Sequence, residues 1–273
     1  TNFKISSNSE TITLSDSSGE IIDQLTVENL PPETSLGVNE DNLDLVIFSE
    51  TTPGYQNSNN YYTGAVSESV IFSNNSGFLN ESINLSLSGN SSGQVIRYTT
   101  DASIPTETDL VYSSPIQVVE NTTIRARIFQ TNYLPSTIFS KSYIFDDIPE
   151  IDTVFLTTEP ENLFDEESGI YVFGEAGTYD TWVPYFGANF WEDWERPVHI
   201  SFYDSETNEI QSEFDGGLKI FGGWSRGQNA QRSLALFARG QYGYSKFEES
   251  FFEELSYDDF QSLVLRNSGQ DWI

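Results

Sequence analysis

Short runs of β-branched and aromatic residues, each cut off by a polar turn, recur along this chain and restrict most of it to strands. FKISSNSETITLSDSSGEIIDQLTV alternates on both sides of a break at Asp16 to Gly19. Ile12 and Leu14 precede the break; Ile21, Leu25 and Val27 follow it, with Asp23 interrupting the series. Period-two alternation around a polar turn predicts a hairpin. PPETSLG and TTPGYQN then supply turns through Pro31, Pro32, Gly37, Pro53 and Gly54. SVIFSNNSGFLNESINLSLSG predicts two strands around a turn at Asn74 to Gly77. VIRYTTDASIPTETDLVYSSPIQV and TTIRARIF add further strands, with Asp101 to Thr106 as a turn that Pro105 rigidifies.

Composition narrows the class of protein. A chain of 273 residues is expected to hold two or three units. The 20 Phe, 14 Tyr and 5 Trp supply apolar area that offsets chain entropy. The Ser-, Asn- and Thr-rich stretches at 6–18 and 56–67 therefore read as turns of a folded, extracellular β-rich array. Lys and Arg total 12 against 42 Asp and Glu, a formal net charge of −30, so binding to nucleic acid or an anionic membrane is electrostatically opposed. With no Cys, disulfides, zinc–thiolate sites and a cysteine nucleophile are excluded. The chain also lacks Met, even at position 1, which predicts a processed chain or an internal piece of a longer one. It holds no signal-peptide-like segment and no apolar run long enough to span a membrane.

The last segment mixes signals. Thr158-Glu159-Pro160-Glu161 predicts a helix start capped by Thr158, with Glu161 at capping-box spacing and a short helix through Leu163 to Glu166 that ends near Gly169. Strands are predicted at 197–203, 218–221, 233–238 and 263–265, with short helices or loops at 247–255 and 258–263.

Three resemblances follow from these residues. Leu14, Asp16, Gly19 and Asp23, then Ser35 and Gly37, then Thr52 to Asn57, resemble the second half of a lamin-tail domain, an immunoglobulin-like sandwich. The family's opening strands are absent, so residues 1–59 are expected to be an incomplete sandwich whose edges something else completes. Arg97-Tyr98-Thr99-Thr100-Asp101, Pro105-Thr106, Tyr112, Pro115-Ile116, Thr123-Ile124-Arg125-Ala126 and Tyr143 resemble the chitobiase/hexosaminidase C-terminal β-sandwich over residues 65–146. That likeness implies an accessory spacer, with Arg97 and Asp101 stabilising the sandwich. Gly169 to Gly174, Asn189 to Tyr203, Gly216 to Gly243 and Leu263 to Trp272 resemble the amino-terminal part of the CotH family over residues 147–273. This family takes its name from a spore-coat protein and is described as atypical, secretory-type kinases. The expected architecture is mainly β: two immunoglobulin-like β-sandwich modules, the first incomplete, then the incomplete α+β start of a CotH-like domain.

The functional question concentrates in KIFGGWSRGQNAQRSLALFARGQYG, because 7 of the 12 basic residues lie between Arg196 and Arg266. Lys219 sits in a predicted strand, Gly222 and Gly223 let a ligand approach the backbone, and Arg226 lies in the turn. Arg232 precedes the next strand and Arg239 ends it. A Gly-containing hairpin with flanking cations can cradle nucleotide phosphates, although no Walker A pattern is present. The same cations can instead pair internally with carboxylates such as Asp193, Glu195, Asp215 and Glu248. The CotH likeness implies ATP with Mg or Mn in the parent protein. The family's acidic metal ligands lie downstream of the RNSGxDW match, where this chain stops, so the fragment itself is expected to hold no cofactor and to be catalytically incompetent. The family's KKS-like lysine is Arg232 here, and an arginine does not replace a lysine's chemistry.

His199, the one histidine, reads as a satisfied strand residue. Glu40, Asp41 and Asp44, and Asp165 to Glu167, lack EF-hand spacing and read as solvated loops, so no metal site is expected. Gly223 to Gly227 fits G-x-S-x-G around Ser225, but a hydrolase elbow needs a following helix and a downstream His. The next segment reads as a strand and the His lies upstream, which excludes a triad. Trp191 and Trp194, with Tyr185, Phe186 and Phe190, offer rings for stacking on a sugar or for packing between units.

Lamin-tail and CotH modules travel together in surface proteins of Bacteroidetes-like bacteria. The resemblance therefore implies an extracellular or cell-surface location. Its partners are expected among other domains of the chain, surface or secretion-system proteins, and glycans. Two functions remain open: part of an exported kinase-related protein, or a non-catalytic adhesin or matrix- or carbohydrate-binding scaffold.

Overall fold

The computed structural model describes residues 9–28, 30–39, 43–252 and 254–267. In the first unit β1 (Ser9–Ser15) and β2 (Ile21–Glu28) form an antiparallel hairpin with Ile12 opposite Leu25. Asp16 closes it, its Oδ1 accepting from Ser18 N at 2.8 Å, Ser18 Oγ at 2.7 Å and Glu20 N at 2.9 Å. These bonds, led by the Ser18 hydroxyl, hold the Asp16 carboxyl below its ordinary pKa. β3 (Ser35–Val38), β4 (Leu45–Phe48) and β5 (Tyr61–Tyr62) make an antiparallel three-stranded sheet around buried Val46 and Phe48. Asn57 Nδ2 donates to Val38 O at 3.3 Å and ties the 52–57 turn to this sheet.

Pairing changes hands at Thr63, because β6 (Gly64–Ala65) joins the second unit, a β-sandwich. Its strands are β7 (Ile71–Phe72), β8 (Gly77–Phe78), β9 (Ile83–Leu85), β10 (Leu87–Ser88), β11 (Val95–Thr99), β12 (Leu110–Val111), β13 (Ile116–Val118), β14 (Thr122–Phe129), β15 (Tyr133–Leu134) and β16 (Phe139–Ile144). A five-stranded sheet in the order β12-β11-β14-β16-β8 faces the pairs β10-β7, β13-β9 and β15-β6. The turn at Asn74 to Gly77 does not join neighbouring strands: β7 pairs with β10, and β8 lies parallel to β16. β14 governs the geometry. Ile124, Ala126 and Ile128 point into the sandwich core with Leu85, Val118 and Tyr143. Period two then sends Arg125 and Arg127 to the opposite face. Arg97 bonds the backbone carbonyl of Asp109 at 2.5 Å, while Asp101 closes its own turn on Ser103. Both residues brace the sandwich.

The third unit is an antiparallel sheet in the order β17-β18-β19-β20-β23. Its elements are β17 (Thr153–Thr157), α1 (Pro160–Phe164), β18 (Arg196–Asp204), β19 (Glu209–Phe221), α2 (Ser225–Gln228), β20 (Ser233–Phe237), β21 (Phe247–Glu248), β22 (Asp259–Phe260) and β23 (Ser262–Leu265). One face carries Val198, Ile200, Phe214, Leu218, Ile220 and Leu236 against Ile170, Phe190 and Phe247. Three local expectations change. Thr158 does not cap α1, because its hydroxyl donates to Pro197 O at 2.6 Å and accepts from Asn162 Nδ2 at 2.7 Å; Glu159 takes the cap position with no side-chain bond to the helix. The helix stops at Phe164, where Asp165 turns the chain by accepting from Ser168 and Glu167. The expected helices or loops at 247–255 and 258–263 contain instead a ribbon of β21 and β22, fastened because Phe247 is fully buried.

The other face of this sheet presents Thr157, His199, Ser201, Tyr203, Glu213, Asp215 and Lys219, and part of it meets the second unit. Phe78 stacks edge-on to Tyr203 with centroids 5.1 Å apart, and Ser142 Oγ lies 3.2 Å from Thr157 Oγ1.

Candidate functional site

The four cations of the basic stretch are partnered from within. Lys219 alternates with buried Leu218 and Ile220, so its stem lies on the reverse face of β19, where its ammonium binds Asp193. The hydrogen bond and charge of Lys219 hold the Asp193 carboxyl below its usual range, with Arg226 and Arg239 adding smaller contributions. Arg239 Nε donates to both oxygens of Glu195, at 2.7 and 2.9 Å, and its guanidinium lies 4.8 Å from the Phe237 ring centroid. Glycine makes this arrangement possible: a Cβ on Gly217 would stand 2.4 Å from Glu195 Oε1. The segment Glu192-Asp193-Trp194-Glu195 thus lays two counter-charges across β19.

Arg226 has backbone acceptors, Gly222 O at 2.5 Å and the Phe190 and Trp191 carbonyls at 3.4 and 3.5 Å, and it lies 5.5 Å over the Trp191 ring. Arg232 is set between rings, 4.0 Å from the Phe190 centroid and 4.9 Å from that of Tyr171. Its Nε is buried without a partner, and burial lowers its pKa. The structure brings Lys219, Arg226 and Arg239 around Asp193. Arg232 is placed apart from Arg239, since the two flank the five-residue strand β20 and a seven-residue step in extended chain spans about 23 Å. Of the other carboxylates considered, Asp215 serves His199 and Glu248 lies on β21 near Lys246.

The two candidate stacking rings are half-buried. Trp191 donates from Nε1 to Pro184 O at 2.9 Å and packs on the core, and Trp194 lies under Arg196 at 5.2 Å. Ser225 does follow a strand-to-helix turn, because the one-turn helix α2 stands between β19 and the expected strand, which forms as β20. His199 is nevertheless out of reach: it pairs with Asp215, six residues or about 20 Å along β19 from Phe221. Glu40 and Asp41 lie outside the described residues. Among the described residues no cluster of three or more His, Asp or Glu side chains is placed to hold a metal ion.

A second polar constellation sits between units two and three. Lys141 of β16 forms an ion pair with Glu213 of β19, which also accepts from Ser201 Oγ at 3.0 Å. His199 Nδ1 lies 2.8 Å from Asp215 Oδ1, and its Nε2 lies 3.5 Å from Glu213 Oε1, beyond good hydrogen-bond geometry. Burial of the imidazole disfavours its charge, yet the Asp215 bond and the Glu213 carboxylate overcome that and raise the pKa to about 8. Desolvation works against the Glu213 charge too, and His199 and Lys141 reverse it, bringing Glu213 to about 2. Two cavities, of about 450 and 660 Å³, flank this cluster and share His199, Asp215 and Tyr242. Arg125 and Arg127 line the smaller one. Sequence reasoning missed this junction. Its only local signal was the polar alternation His199, Ser201 and Glu213, Asp215 on paired strands.

With the geometry in hand, residues 74–140 match the Chitobiase/beta-hexosaminidase C-terminal domain. The second unit is similar to that domain. The match covers the five-stranded sheet as far as the start of β16, including Arg97, Asp101 and Arg125. No curated protein matches the chain.

Proposed function

We propose that the chain is a non-catalytic part of a large secreted or cell-surface bacterial protein, in which the chitobiase-like sandwich braces a lamin-tail-like unit and a CotH-like unit. The observation that carries this reading is that three of the four cations in residues 219–239 are already engaged within the chain. Lys219 and Arg239 already hold Asp193 and Glu195, and Arg226 is consumed by carbonyls. A phosphate would have to displace these partners. The acidic surface and polar turns support an extracellular setting.

The test is calorimetric titration of the protein with ATP and Mg²⁺ or Mn²⁺, beside a Lys219→Ala, Arg232→Ala variant. No saturable heat is expected from either. Saturable binding abolished by the substitutions would overturn the proposal and establish the second reading, a kinase-related nucleotide site. One observation favours that second reading: the Asp193 side chain is 94% exposed while Lys219 is 18% exposed, so the counter-ion is free to swing aside. Asp193→Asn in the same titration separates the two, since only a latent phosphate site gains affinity when its competing carboxylate is removed.

A further inference from the structure

Arg125 and Arg127 leave one face of β14 and line the cavity of about 450 Å³ to which all three units contribute. Two residues along a strand put their Cα atoms only about 7 Å apart. Arg125 is 8% exposed. Its Nη1 donates to Ala102 O at 2.9 Å, while its Nε is buried without a partner. Arg127 donates from Nε to Ser136 O at 2.5 Å and from Nη2 to Pro135 O at 3.5 Å. Among the described residues neither guanidinium forms an ion pair with a carboxylate. Burial pushes the Arg125 pKa down against the more distant charges of Glu159 and Asp215. Burial lowers that of Arg127 too, and the neighbouring Arg125 charge adds to it. A buried charge is costly until an opposite charge meets it, and here two like charges stand side by side.

The carboxylates of the wall have other engagements. Asp215 holds His199 at 2.8 Å, Glu159 Oε1 accepts from Ile104 N at 3.4 Å, and Glu33 is exposed. A cation would meet two guanidiniums, and a neutral ligand would leave them unpaired. The bonds already made decide which donors remain. With Nη1 on Ala102, Arg125 keeps its Nε–Nη2 edge, the side of the fork that grips two oxygens at once, and Arg127 keeps Nη1. We infer that this cavity binds a small oxoanion, a carboxylate or a phosphate group, between Arg125 and Arg127. Its volume falls within the range of small-molecule sites, about 300–1,000 Å³, and Ile104, Leu134 and Ile138 give an apolar wall for whatever carries the anionic group. Because Pro32, Leu134 and Tyr242 come from three different units, a ligand held there also braces the units against one another. The inference goes beyond the scaffold reading and does not rest on it: that reading turns on Lys219 to Arg239, which substitutions at Arg125 and Arg127 leave in place.

The experiment is isothermal titration of the whole chain at pH 7 and constant ionic strength, with inorganic phosphate and benzoate as separate probes. Saturable binding is expected for at least one, accompanied by a rise in the unfolding midpoint. Arg125→Gln and Arg127→Gln should each weaken it roughly ten-fold or more, since each removes a charge-assisted contact. The Lys219→Ala, Arg232→Ala variant should bind as the native chain does. Tighter phosphate assigns the site to a phosphate group, and tighter benzoate to an organic carboxylate. A preserved unfolding transition shows that each variant folds. Should Arg125→Gln fail to fold, Arg127→Gln, at the less buried of the two positions, carries the comparison. The inference is overturned by saturation with neither probe, by affinity unchanged in the folded arginine variants, which marks an adventitious ion only, or by binding lost in the Lys219, Arg232 variant instead.

Discussion

The hairpins β1–β2 and β18–β19 share one grammar: alternating residues on two antiparallel strands joined by a polar turn. Their surroundings differ. In β18–β19 the apolar face is sealed, with Ile200 and Leu218 all but inaccessible at 0 and 1% exposure. In β1–β2, Leu14, Ile21 and Ile22 stay 59 to 65% exposed, and among the described residues the two strands pair only with each other. The first hairpin is held by its ladder, the Asp16 turn and the Thr11–Thr26 hydroxyl pair at 3.1 Å. The second is held by what covers it. Alternation thus sets how a strand pairs, and the cover decides how much free energy each side chain contributes.

Three measurements sharpen that contrast. Leu218→Ala should destabilise the third unit by about 2–5 kcal/mol in denaturant unfolding, since the site is enclosed by core residues. A loss below about 1 kcal/mol would mean the core collapses freely around the gap.

A smaller effect comes from the reverse face of the same hairpin. His199 has a folded pKa of about 8, above its ordinary 6.5, so its contribution is complete below pH 6.5 and disappears as pH rises through 8. Glu213, depressed to about 2 from 4.5, contributes fully above pH 4.5 and loses its share as pH falls toward 2. The junction is therefore most stable between pH 4.5 and 6.5. Raising the pH from 6 to 9 should remove about 2 kcal/mol of unfolding free energy, and His199→Gln should flatten that slope. An unchanged slope in the variant would assign the effect to other groups.

Smallest of all, Leu14→Ser on the open hairpin should shift stability by no more than about 0.5 kcal/mol. A larger loss would reveal a cover on that face.

Legibility in the sequence followed the same division. The turn at Asp16 and the strands expected at 197–203, 218–221, 233–238 and 263–265 were readable because their signals are local. The ribbon β21–β22 was not, since its two-residue strands are too short to show a period and depend on burial of Phe247. Nor was the mainly polar start of β19, Glu209 to Glu213, whose apolar signal begins at Phe214. The candidate cations were visible as a cluster, and Asp193 and Glu195 were visible as possible partners. Their pairing was not, because 26 residues separate Lys219 from Asp193 and 44 separate Arg239 from Glu195. The junction lay further out of reach, with Lys141 and Glu213 72 residues apart on different units. Contacts at such separations are made by topology, and no window along the chain contains both partners.

The parallel pairing of β8 with β16 has a mechanical consequence. Tyr143 lies opposite Gly77 and Ile144 opposite Phe78, and Leu79 N bonds Ile144 O at 2.7 Å. The chain enters this pair at the start of β8 and leaves it at the end of β16, so tension along the polypeptide pulls the two strands past each other. Evenly spaced parallel bonds then bear the load together, where a hairpin pulled from its open end would give way one bond at a time. Tension arriving from the first unit loads β6 and β7 first, and at β8 it then meets shear instead of unzipping.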